Sequence, residues 1–350
     1  MANFPELTSA LSDGDSVQVP GLSTRHAVNE RLHDGMKPLG DEVRPRVSVV
    51  IVTYGSSKEI PDCVESLRRQ SVPIEIFLVD NASPDNTAEM VSDYAARFQN
   101  VRAILNKENV GLAAGNNTPM EQCRGEYLLM LNPDTMFRND SLQHMVEFLD
   151  HNRDVGVVGP KNVYENGEPH VSFERHWGLR QVLMWRVLPY RFPRLLHDRF
   201  SSYETQDVLF VSGSCLLIRR NIFEQIGGYD PEFFLAIEDV CDLCLRVKQS
   251  GSRVVFLADQ EVVHLTARSC VQAPYIVVWQ GNRGTVYYFW KQKGIFQALV
   301  VSILLLMAAA ARVVTGAILG IAKKRYRTVA RIYARVFWGL LVRSPIRANR

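Results

Sequence analysis

The chain has 350 residues, 47% of them hydrophobic and 22% charged, and a formal net charge of +3. That is enough apolar material for one large domain with an appendage, and too little net charge to argue for a nucleic-acid partner. Six cysteines offer a single CxxC spacing, Cys241 to Cys244, which argues against zinc, and Met1 to Pro45 holds no apolar run of secretory-leader length, so a reducing, cytosolic setting is expected.

Residues 1–45, rich in Ser, Asp, Gly and Pro, read as a partly ordered N-terminal extension without chemistry. The β-branched run Arg46 to Tyr54 is continuous enough for a strand buried on both faces. Helical spacing over Ile60–Gln70 leads to a second strand, Glu75–Asn81, containing Asp80. The turn-prone Ser83-Pro84-Asp85-Asn86, a helix over Thr87–Phe98 and a third strand over Val101–Leu105 follow. Asp80 can accept paired hydrogen bonds from a base or ribose, or it can cap a helix or fix a turn. The small-residue loop Asn109 to Asn117 permits close backbone approach to a ligand. It lacks GxGxxG spacing, and no Walker lysine is present, which disfavours a nicotinamide enzyme or an ATPase. Glu126 to Leu131 is a buried strand halted by Asn132-Pro133, delivering Asp134 to a sheet edge or to a turn that caps the helix from Ser141. Alternation of strand and helix to this point predicts a mostly parallel sheet with helices on both faces.

After Asp150 the alternation fails. Val155–Pro160 reads as a strand, Tyr164–Glu168 as a turn and Trp177–Phe200 as an irregular or helical insertion, where Trp177, Trp185, Tyr190 and Phe192 offer flat surface to an acceptor or simply pack. Val208–Ile218 is two strands or one bent at Gly213, and Asn221–Ile226 a short helix stopped by Gly227-Gly228. Glu238 and Asp239 fall in the first turn of the next helix, where the dipole favours ionised carboxylates. One of them can serve as a base, or both can merely complement the helix end. A strand over Arg253–Leu257 precedes Val262-Val263-His264-Leu265.

The aromatic and basic segment Tyr287–Gly294 is followed by an uncharged run, Ile295–Ala311, near the lower bound for a spanning helix. Arg312 interrupts it, Val313–Ala322 resumes it and Lys323-Lys324-Arg325 closes it. A tilted span, a re-entrant hairpin, an interfacial helix and a buried helix all fit. Arg331, Arg335, Arg343, Arg347 and Arg350, with the spacing of Val336, Phe337, Trp338, Leu340 and Leu341, favour contact with an anionic membrane surface.

Taken in order, these motifs resemble family-2 glycosyltransferases of the GT-A fold, particularly the bacterial rhamnosyltransferase-like branch, over roughly Val47 to Gly294. The resemblance implies an α/β architecture: a GT-A-type nucleotide-binding, mixed, mainly parallel sheet flanked by helices over residues 46–293. Residues 46–135 would be the nucleotide-binding half, 136–293 the acceptor half and 294–350 membrane-associated hydrophobic and basic helices. It implies a nucleotide site drawn from Thr53, Tyr54, Asp80, Asn109, Gly111, Asn117 and Asn132. A divalent metal, Mn2+ or Mg2+, would sit on Asp134, since Asn132 replaces the first acid of the DxD motif, with His264 as a further ligand. Asp239 would be the catalytic base, and Glu238 would position the acceptor. The expected activity is inverting, metal-dependent transfer of a sugar, rhamnose favoured, from a nucleotide-diphosphate donor to a glycan or lipid-linked acceptor. It would take place at the cytoplasmic face of the cell membrane, in cell-envelope polysaccharide assembly. Transfer of galactofuranose, N-acetylglucosamine or glucose is one alternative, and a non-catalytic membrane-bound scaffold that binds glycan or nucleotide is another.

Overall fold

The computed structural model describes residues 44–188, 204–235, 237–265 and 274–342. Most of the N-terminal extension, Tyr190 and Phe192 of the insertion, Cys270, and Arg343, Arg347 and Arg350 lie outside the described residues.

The first four strands are parallel neighbours in the order β3-β2-β1-β4: β1 (Val47–Thr53), β2 (Ile74–Asp80), β3 (Val101–Leu105) and β4 (Tyr127–Leu131). Every residue of β1, β2 and β4 is buried, because the period of two sends alternate side chains into two separate apolar layers. Val47, Val49 and Ile51 pack with α1 (Ile60–Arg68), α2 (Thr87–Arg97) and α4 (Ser141–His151). Val50 and Val52 pack on the other side, with α3 (Leu112–Asn117) and most of the later helices. Each fully buried Val, Ile, Leu or Phe contributes about 1.5–3 kcal/mol, so β1 and β2 together anchor this half of the sheet. The sheet order reverses at β1, with β2 on one side and β4 on the other, which opens a ligand crevice beyond the carboxyl ends of these strands.

Antiparallel partners enter where the sequence alternation fails. The remaining strands are β5 (Thr135–Phe137), β6 (Val155–Val163), β7 (Phe173–Glu174), β8 (Gln206–Asp207), β9 (Phe210–Val211), β10 (Cys215–Arg219) and β11 (Arg253–His264). β10 runs antiparallel between β4 and β6, and β11 lies parallel to β6 and antiparallel to β5 and β8. The sheet continues β4-β10-β6-β11-β5, while β7 and β9 pair apart from it. Val208–Ile218 is thus two strands in different sheets, broken at Gly213, where a Cβ would come within 2.7 Å of Val240. The two segments expected around 253–265 are one strand with a register shift between Leu257 and Glu261. The insertion forms α5, helical from Leu179 and π-type over Leu183–Val187. It is followed by α6 (Arg220–Gln225), α7 (Ile237–Gln249), α8 (Pro274–Lys293), α9 (Ile295–Ala322) and α10 (Lys324–Val342).

Two clamps fix the segment that leads into α7. Gly111, at φ +86°, lets the Leu112 N–H reach the Phe234 carbonyl at 2.5 Å; a Cβ on Gly111 would lie 2.5 Å from that same oxygen. Asn117 donates to the Tyr229 carbonyl at 2.7 Å and accepts the Tyr229 N–H at 3.0 Å. Gly111→Ala therefore meets both backbone strain and a backbone clash, and urea unfolding should show a loss of about 2–4 kcal/mol.

Glu174 on β7 is buried, and desolvation pushes its carboxyl up from 4.5 to about 7. The folded group keeps its proton after the unfolded one has lost it, so its contribution to stability falls as pH rises between those values. Glu174→Gln should flatten that slope, gaining about 3 kcal/mol on the parent between about pH 4 and pH 8 in pH-dependent unfolding.

Candidate active site

The chain leaves β4 through a β-turn, Asn132-Pro133-Asp134-Thr135, closed by the Thr135 N–H donating to the Asn132 carbonyl at 3.1 Å. Proline at the second position presets φ for this turn and ends the ladder. The turn hands the chain to β5, whose Thr135, Met136 and Phe137 pair with His264, Val263 and Val262. The Leu265 N–H donates to the Asp134 carbonyl at 3.0 Å. This register sets His264 Nε2 3.4 Å from Asp134 Oδ1, with the two side chains only 10% and 9% exposed. Asp134 does not cap α4, whose N-cap is Asp140; the Asp140 carboxylate accepts the Ser71 N–H at 2.9 Å. The His170 ring packs edge-on against His264 at 5.5 Å, a neighbour with no signal in the sequence. Among the described residues no group of three or more His, Cys, Asp or Glu is gathered as a metal cage. A carboxylate oxygen beside an imidazole nitrogen is nevertheless a donor pair suited to Mn2+, and six-coordination leaves positions for oxygens of a ligand and water.

Thr53 and Asp80 face each other at the ends of β1 and β2. The Thr53 hydroxyl lies 3.2 Å from the Val79 carbonyl and 3.3 Å from Asp80 Oδ1, and the Asp80 carboxylate also accepts the Ser83 N–H at 3.1 Å and the Ser83 hydroxyl. Asp80 thus fixes the turn in which Ala82 sits at φ +55°, a conformation costing about 1–2 kcal/mol that is tolerated where the surroundings over-determine it. The loop after β1, carrying Tyr54, is tied to the same turn by the Gly55 N–H to Ser83 Oγ at 2.9 Å and the Ser56 N–H to Thr87 Oγ1 at 2.9 Å. Asn109 Oδ1 accepts the Gly111 N–H at 3.0 Å, and Asn132 is partly exposed beyond β4. The Asn117 side-chain amide bonds the Tyr229 backbone at both ends and so holds the loop before α7.

Glu238 and Asp239 occupy the first turn of α7, and neither is more than 1% exposed. Asp239 Oδ1 accepts the Val240 N–H at 2.6 Å, as helix N-termini favour. Burial, and then the nearby Asp239, push the Tyr229 hydroxyl well above its ordinary range. Glu238 is bridged by Arg186 at 3.2 and 3.1 Å and receives the Thr285 hydroxyl at 2.7 Å. These two partners, one from the insertion and one from α8, were invisible in the sequence because only the fold brings them to α7. The site's two acidic ends are joined by the loop between β9 and β10: the Asn132 N–H donates to the Ser214 carbonyl at 2.9 Å, and Gly213 abuts Val240 beside Asp239. Downstream of the Tyr229 clamp, burial works to raise the Asp230 carboxyl, but Lys291 at 2.7 Å outweighs it and holds the group low.

Residues 48–227 match the sequence model described as Glycosyl transferase family 2. An N-acetylglucosaminyl-diphospho-decaprenol L-rhamnosyltransferase of Mycobacterium tuberculosis is 29% identical over 244 residues, covering 65% of this chain and 78% of that one. The poly(ribitol-phosphate) beta-N-acetylglucosaminyltransferase TarS of Staphylococcus aureus is 29% identical over 227 residues, covering 64% of this chain and 36% of that one. Among solved structures, the mannosyltransferase PcManGT of Pyrobaculum calidifontis in complex with GDP-Man and Mn2+ superposes with a TM-score of 0.53 at 21% identity, over 86% and 87% of the two chains. GalNAc-T7 with UDP, GalNAc and Mn2+ does so at 0.52 and 19%, over 72% and 52%. The curled mixed sheet is thus the GT-A fold, and with its family match extending over more than half its length this chain belongs to glycosyl transferase family 2 and is a glycosyltransferase.

Proposed function

We propose that the enzyme transfers a sugar, rhamnose favoured, from a nucleotide-diphosphate donor to a hydroxyl of a glycan or lipid-linked acceptor, with inversion at the anomeric carbon. The observation that carries this reading is the apposition of Asp134 and His264 beyond the sheet's switch point. Those two residues would hold a divalent cation, which when bound offsets the negative charge that develops on a departing diphosphate. The Mn2+ bound in the complexes of PcManGT and GalNAc-T7 supports that choice of ion. Thr53, Tyr54, Asp80, Asn109, Gly111 and Asn132 surround the nucleoside end of the crevice, and Asp80 has the acceptor oxygens to receive ribose or base hydrogens.

Asp239 takes the proton from the acceptor hydroxyl. The Val240 N–H and the N-terminus of α7 interact favourably with its carboxylate, and a single base suffices for a single in-line displacement. Glu238, neutralised by Arg186, fixes the turn that presents Asp239. Residues 46–135 would serve as the nucleotide half, 136–293 as the acceptor half and 294–350 as the membrane-associated part. The activity of the mycobacterial relative favours rhamnose and a lipid-diphosphate acceptor, while that of TarS keeps N-acetylglucosamine as the second reading. The donor would be met at the cytoplasmic face of the membrane.

Asp239→Asn should lower transfer by at least about 10³-fold while donor affinity, measured by calorimetry, stays within about twofold. Retained turnover would remove Asp239 from the chemistry. Asp134→Ala should weaken Mn2+-dependent donor binding at least about tenfold in the same calorimetry, and unchanged affinity would exclude it from the metal.

A further inference from the structure

Helix α9, 28 residues long, is apolar enough by composition to cross a membrane. Its surroundings argue for a different placement. At its start it follows α8 directly, and α8 is fastened to the globular domain by Lys291 to Asp230 at 2.7 Å and Gln292 to Asp242 at 2.7 Å. Further along, Arg312 donates to the carbonyls of Arg186 at 2.7 Å and Val187 at 3.3 Å, in the same insertion that bridges Glu238. A spanning helix has to run clear of the water-facing domain for about 30 Å. Ile295–Ala311 offers only about 25 Å before Arg312, and Val313–Ala322 only about 15 Å after it. The neighbouring helix returns along α9: Gly316 packs on Ala330, Gly320 packs on Arg327, and the Arg312 guanidinium lies 5.2 Å from the Tyr333 ring. Arg327, Arg331 and Arg335 of α10 are exposed, and a crossing α9 would carry them towards hydrocarbon, where charge is costly.

The other side of α9 is bare and apolar. Phe296, Leu299, Ile303, Met307, Val314 and Ile318 are exposed at helical spacing along nearly its whole length. Ala298, Val301, Leu305, Ala308 and Gly316 are buried. Lys323 and Lys324 are exposed at the end of the stripe, and α10 finishes with Trp338 exposed. An apolar stripe about 33 Å long bordered by basic side chains matches the interface of an anionic bilayer: acyl chains for the stripe, headgroup phosphates for the arginines and lysines.

We propose that α9 and α10 form an in-plane seat, with the α9 stripe sunk into one leaflet of an anionic membrane and both ends of α9 on the same side, so that the chain does not cross at α9. This specifies the membrane contact included in the proposed function, and it stands whether or not the transfer chemistry is as drawn.

Full-length Lys293→Cys and Lys323→Cys variants, bound to sealed vesicles containing phosphatidylglycerol, would be treated from outside with a membrane-impermeant maleimide. Both engineered thiols should label fully above the parent's background, with no rise when detergent opens the vesicles. Protection of either end until detergent is added would overturn the in-plane seat. The double variant Ile303→Glu, Met307→Glu changes only exposed side chains. It should cut vesicle co-flotation at least tenfold with an unchanged thermal midpoint and unchanged donor affinity by calorimetry. Undiminished flotation, or a loss confined to self-association in solution, would show that lipid is not what the stripe meets. Because no readout depends on turnover, failure of the seat and failure of the catalytic assignment are separable.

Discussion

The chemistry end of this molecule depends on a ladder only three residue pairs long, between β5 and β11. β11 stays beside β6 on both sides of its register shift between Leu257 and Glu261, while on its other edge the first part meets β8 and the last part meets β5. Such irregularities bend a strand and re-aim its side chains. On the other side, the Pro133 turn frees β5 from the line of β4. Asp134 and His264, far apart in the chain, are thereby set side by side at the end of the parallel strands.

The acidic helix is held by more numerous ties of a different kind. Gly111 and Asn117 clamp the segment before it through backbone contacts at Phe234 and Tyr229. Arg186 and Thr285 enclose Glu238, and Arg312 in turn holds the carbonyl of Arg186. An exposed ion pair contributes less than about 1 kcal/mol, whereas breaking a buried one costs about 3–5 kcal/mol, so the Arg186–Glu238 bridge outweighs the surface pairs as a constraint on α7. It also joins three parts of the chain that the sequence keeps far apart: the insertion, the acidic turn and the long apolar helix. The placement of α9 against the protein and the placement of Asp239 beside the crevice are therefore mechanically connected.

Much of the parallel half was legible in the sequence. β4 is an unbroken apolar run, and β1 and β2 are nearly so, each with one polar side chain inside it, Ser48 and Glu75, because helices cover both faces; Asn132-Pro133 announces the end of β4 through proline's missing donor. β5 was not legible: three residues with one ladder carry no periodic signal. The antiparallel insertion of β10 is a long-range pairing that no local pattern encodes. Asp134, Glu238 and Asp239 could be singled out by residue type and position, but the sequence left each with a structural alternative, and His264 gained its meaning only through the family resemblance. Asn117 was singled out because an amide in a small-residue loop suggests a ligand contact, and nothing in the sequence signals its structural partner, the Tyr229 backbone, more than a hundred residues away. Arg312 did leave a mark, as the one charge inside the apolar run, although only the packed structure supplies its carbonyl partners.

The most direct test of the paired site is pulsed electron paramagnetic resonance of the protein with Mn2+ and a nucleoside diphosphate. A cation held by Asp134 and His264 gives a nitrogen coupling of imidazole type that vanishes in His264→Gln. A spectrum without nitrogen coupling, or one unchanged by that substitution, would contradict the role of the β5–β11 ladder in building the proposed metal site.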